Sequence, residues 1–262
     1  MLHLLKIEFK KIIPFSTFWV IFGLVFLLTP AIFYSIGQMG GQGISLSSIY
    51  NFPGVWNNIT YLGSWFNLLI GMCVVILVCN EFSFKTFRQH VIDGQSKADF
   101  VISKILLITV FALFSAIYLF IIGFLFGSIS NNPDNISFLT DIKYIFIYFI
   151  QAIGYMSVAL LIATLIRSTA LSIILFLASI AIESIIQFAI PYPFDKYFPM
   201  ETIANLTPNP FLNPIEMQPG IEVANPLAQA QIPFNTTLIV SIIYIFIFWG
   251  ITYFILTKKD IK

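Results

Sequence analysis

Six apolar runs, at about 15–36, 62–80, 104–128, 144–166, 169–190 and 237–257, constrain this chain more than anything else in it. A bilayer core about 30 Å thick is crossed by about 20 apolar residues in a helix, and each run comes to that length. Backbone groups surrounded by hydrocarbon have no water to bond, so such runs must be helical. Composition agrees: of 262 residues 58% are hydrophobic and 10% charged, against roughly a quarter charged in soluble domains. The expected fold is therefore a single all-α membrane domain over 1–262 with six transmembrane helices. The opening MLHLLKIEFKK lacks a small-residue cleavage site and leads straight into the first run, so no cleaved leader is expected.

Six crossings put both termini on one side, and the basic residues indicate which. Lys6, Lys10, Lys11, Lys85, Arg88, Lys97, Lys104, Arg167, Lys258, Lys259 and Lys262 fall on the side of the termini, and only Lys143 and Lys196 on the other. The positive-inside rule then predicts a multi-pass protein of the cell membrane with cytoplasmic termini. Residues 1–13 carry Leu2, Leu5, Phe9 and Ile12 at helical spacing beside Lys6, Lys10 and Lys11. They read either as an interfacial elbow helix reaching lipid headgroups or as the basic flank of the first span.

The segment 191–236, between the fifth and sixth spans, holds nine of the thirteen prolines. Proline lacks a backbone donor and clashes with the preceding turn, so a seventh regular span is excluded there. Phe198, Met200, Ile203, Leu206, Phe211 and Leu212 between the prolines suggest short helices dipping toward the membrane edge. The segment is either an external cap or gate, or a packed loop.

Several chemistries are excluded by what is missing. No Gly-Lys dipeptide occurs, so no phosphate-cradling loop of the P-loop type is present. His3 and His90 are the only histidines, which removes the usual zinc patterns. There is no Gly-x-Ser-x-Gly, and a net charge of +1 offers no basic surface for nucleic acid. No catalytic residue, metal site or bound cofactor is expected on this chain.

The polar stretch NEFSFKTFRQHVIDGQSKADF, residues 80–100, interrupts the apolar pattern between the second and third spans. Glu81 ends the second span, Ser83 can cap a new helix, and Gly94 is its natural stop. Phe84, Phe87 and Val91 share one face at i, i+3 and i+7, with Lys85 and Arg88 beside them. Ser96 and Asp99 form a capping-box pattern that restarts a helix through Lys104 into the third span. An aromatic stripe of this kind inserts into a groove on a partner protein or lies among lipid chains.

The connector resembles that of the type-2 ABC exporter permease family. That family has an acidic residue ending the second span and a Thr five positions on. A Ser and a basic residue follow ten and eleven positions after the Thr, with a Lys seven further. Glu81, Thr86, Ser96, Lys97 and Lys104 meet these spacings. Lys85 stands where the family often has Gly, and Gly94 where it often has Pro. The elbow, six spans and external segment fit as well. The resemblance implies a cytoplasmic coupling helix within the loop 81–103, docking on a separate ATP-hydrolysing subunit. Its docking residues would be Glu81, Phe84, Lys85, Thr86, Phe87, Arg88, Val91, Gly94 and Lys97. It further implies two ATPase copies carrying ATP and Mg, and a second permease subunit completing a dimer in the lipid.

One acidic residue, Glu183, lies well inside a span, where an unpaired charge costs about 2.5–3.5 kcal/mol. Gln151 sits at a similar depth in the preceding span, so the two are expected to hydrogen-bond, with Gln187 one turn further out. This polar spot lines a substrate path or dimer seam, or is internal glue between two spans. The function expected from all this is the permease subunit of an ATP-driven exporter of hydrophobic or amphipathic cargo. The alternative is an ATPase-coupled subunit that passes force to an external partner without moving solute.

Overall fold

The computed structural model describes residues 2–39, 49–84, 86, 96–130, 137–187, 189–190, 197–210 and 233–258, and their regular structure is entirely helical. Eight helices are described: α1 (Leu2–Ile12), α2 (Ser16–Gln38), α3 (Val55–Ser83), α4 (Lys97–Ile129), α5 (Lys143–Ile166), α6 (Thr169–Gln187), α7 (Pro199–Ala204) and α8 (Phe234–Lys258). Six of them, α2 to α6 and α8, are long and apolar enough to cross a membrane. The chain is a multi-pass membrane protein.

The helix ends follow local chemistry. The Ser96 hydroxyl accepts from the Asp99 amide while the Asp99 carboxylate accepts from the Ser96 amide, so α4 starts at the expected capping box. Pro199 occupies the first turn of α7, where its missing N–H costs nothing. α5 stops at Arg167, which takes a left-handed conformation at φ 59°, and α6 begins two residues later. One expectation is corrected. α3 begins at Val55, seven residues before the apolar run, because Asn57 and Asn58 lower its hydropathy without breaking the helix. Ser83 is the last residue of α3, and the helix it was expected to cap lies outside the described residues.

α5 is the central helix. Sixteen of its residues are buried, from Ile145 to Thr164, and its most extensive packing is on α3. In α6 only Ser172 and Phe176 are buried. Phe176 fits because position 71 is glycine: a Cβ there would lie 2.5 Å from the ring. Gly154 of α5 likewise leaves room for Ile203 of α7, 2.9 Å from where a Cβ would sit. Close approach over small residues is how helices gain packing where lipid is as apolar as the side chains.

Polar contacts gather at two opposite ends of this bundle. The end of α3, the start of α4 and the end of α8 come together on the terminal face, where α1 packs on α4: Lys97 Nζ, for instance, donates to the Thr257 carbonyl at 3.1 Å. The starts of α5 and α8 and the end of α6 meet α7 on the far face, where the Ser241 hydroxyl donates to the Thr202 carbonyl at 3.4 Å.

Candidate functional site

On the terminal face, α1 turns its one acidic side chain inward. Glu8 and Ile12 are buried while Phe9 is exposed, so the buried face of α1 carries its one acid. The reason is charge: Lys104, only 1% exposed, places its ammonium 2.5 Å from Glu8 Oε2 and also against Glu81 Oε1. A lysine this deep requires partners, because an unpaired buried charge is very costly. Lys11 reaches the same group from the rim, 3.0 Å from Glu81 and 3.3 Å from Glu8. The Ser103 hydroxyl donates to Glu8 at 3.2 Å. Two carboxylates and two ammoniums thus form a neutral cluster joining α1, α3 and α4. Burial pushes the Glu8 carboxyl up, but Lys104 and Lys11 outweigh it and hold the group below the usual carboxylate range.

This cluster sits at both roots of the 81–103 connector. Glu81 points into it rather than outward, and the Thr86 hydroxyl donates to the Glu81 carbonyl at 3.2 Å. Phe84, next after α3, is 75% exposed. Lys97 is turned onto the end of α8. Of the remaining expected docking residues, Lys85, Phe87, Arg88, Val91 and Gly94 lie outside the described residues. Beside the roots, the Arg167 guanidinium lies 5.0 Å from the Phe82 ring centre, bringing the α5–α6 link to the same corner.

On the far face, Glu183 and Gln151 do not bond each other as expected. Both bind α7, which lies between them. The Glu183 carboxylate accepts from the amides of Met200, at 2.8 Å, and Glu201, at 3.2 Å. It thereby satisfies the otherwise unpaired N–H groups of the first turn. Gln151, fully buried, donates to the carbonyls of Ile203, at 3.1 Å, and Ala204, at 3.0 Å, and bonds Thr207 at 3.0 Å. One side chain holds each end of the short helix. Gln187 donates to Glu201 and extends the polar strip as its spacing suggested.

No group of three metal-binding side chains occurs among the described residues. A cleft of about 500 Å³ opens between α2 and the first half of α3, lined by Ile32, Phe33, Ile36, Leu62, Trp65 and Leu69 among others. Its walls are mostly apolar, with Asn58 and Tyr61 the polar members. Spacing alone did not reveal the cleft or the Glu8–Lys104 pair. The one signal for the pair was Lys104 itself, a cation at the start of an apolar run with no acid in that run.

A family model described as "Protein of unknown function (DUF2705)" matches residues 23–262, nearly the whole chain. No curated protein matches it.

Proposed function

The chain belongs to the DUF2705 family, and we propose that it is the transmembrane permease subunit of an ATP-driven exporter whose ATPase is a separate chain. The observation that carries this reading is the way the 81–103 connector is rooted. Glu81 at one root and Lys104 just past the other are tied together and to α1 by the buried ion cluster. The capping box fixes where α4 begins. A loop that takes up force from a docked subunit must pass it to the spans without yielding at its base. Phe84, exposed at that base, supplies an apolar anchor for docking.

The distribution of basic residues supports a cytoplasmic position for this face. ATP binding would close a pair of ATPase subunits, and the connectors would carry that motion to α3 and α4. The thin burial of α6 leaves an apolar face for a second permease subunit. The α2–α3 cleft supports cargo that is hydrophobic or amphipathic. Purified in mild detergent, the chain should retain an ATP-binding subunit that is lost when Phe87 and Arg88 are both changed to Ala. Unchanged co-purification and unchanged ATPase stimulation in that variant would sink the reading.

A second reading, that the chain passes force to an external partner and moves no solute, is favoured by one observation. α7 is pinned at both ends, by Glu183 and Gln151, as an element that transmits displacement would be. Stimulation of ATP hydrolysis by a transported compound would separate the two in favour of export.

A further inference from the structure

The outward face of α1 is basic because its acid has been taken inside. At about 100° per residue, Lys6 and Lys10 lie about 160° and 200° around the helix from Glu8, almost diametrically opposite. Both are exposed, and among the described residues neither has an ion-pair partner. Phe9 and Ile13 flank them, 40% and 63% exposed. Trp19, exposed on the first turn of α2, donates its indole N–H to the Ile13 carbonyl at 3.0 Å. Only Ile13–Phe15 separate α1 from the spanning helix α2. The lysines therefore sit just before the first spanning helix, beside exposed apolar side chains. Glu8, the one acid of α1, is bonded to Lys104 and is not available to repel an anion.

We propose that this face of α1 is a binding surface for anionic phospholipid, with Lys6 and Lys10 taking the phosphates and Phe9, Ile13 and Trp19 seated among the chains. Charge complementarity selects anionic over zwitterionic headgroups. The exposed apolar residues select a lipid surface over a soluble acidic protein. The inference does not depend on an ATPase docking at the connector, and its failure would leave that reading standing.

The test uses the full chain in nanodiscs of phosphatidylcholine alone or with phosphatidylglycerol added, reading amide hydrogen exchange over residues 2–12. Each lysine near an anionic surface is expected to slow exchange by roughly fivefold at low salt, an effect that added salt removes. K6Q/K10Q should abolish the dependence on phosphatidylglycerol, and K6R/K10R should keep it. Both lysines are exposed, so neither change disturbs the bundle. Equal protection in the two lipids would overturn the proposal, as would a phosphatidylglycerol effect that survives K6Q/K10Q.

Discussion

Two short helices that cross nothing, α1 and α7, are fastened to the same bundle by opposite means. α1 is held by full charges, Glu8 and Glu81 around the buried Lys104. α7 is held through its backbone, its first amides on the Glu183 carboxylate and its last carbonyls on the Gln151 amide. Charges attract over distance and depend on every member being present. Hydrogen bonds to a helix end act one at a time and tolerate partial loss. The terminal face is therefore built as an all-or-none unit, and the far face as a sum of separate contacts.

The most severe way to break that contrast is Lys104→Met. It leaves two carboxylates near one half-exposed lysine, and removing one member of a buried ion group costs about 3–5 kcal/mol. The expected result is a large fall in melting temperature in detergent, or loss of folded protein. The double change Lys104→Met and Glu8→Gln should recover much of it, because Glu81 still pairs with Lys11 and no uncompensated charge remains. If Lys104→Met melts like the parent chain, the terminal face is not a charge-locked unit.

A milder change at the far face is Gln151→Leu, which strips the carbonyls of Ile203 and Ala204 of their donor. About 1–3 kcal/mol is expected, and Glu183→Gln should add to it nearly independently rather than cooperatively. Normal assembly of Glu183→Gln with lost transport would give that carboxylate a role in the path beyond holding α7. The smallest effect concerns pH. The Glu8 carboxyl is held below its ordinary value of 4.5, so the stability it contributes is complete above that value. It is lost as pH falls through the depressed value. Exchange over residues 2–12 should accelerate on acidification in the parent chain and show no such step in Glu8→Gln.

The spans were legible because each is one long apolar run, a signal that needs no partner to be read. α7 was legible only in kind: the apolar residues between the prolines suggested short helices, and Met200 and Ile203 lie buried in one, while Phe211 and Leu212 lie outside the described residues. Gln151 and Glu183 lie at the same end of the bundle, yet they bond a third element rather than each other. Sequence distance hides such a wedge: Gln151 reaches 52 residues ahead to Ile203. The Glu8–Lys104 pair, 96 residues apart, was hidden for the same reason, and because the helical pattern of α1 favours its apolar stripe over its single acid.

The order of residues in the ion cluster also bears on how the protein is made. A ribosome releases Glu8 first, then Glu81, and Lys104 last. Until the third span is synthesised Glu8 has only its helical neighbour Lys11, and Glu81 has no lysine of its own span. Lys11 can already reach Glu81 at that stage, but the buried cation that bonds both carboxylates arrives only with the third span. The lock on α1 is therefore completed by the last of its members to be made.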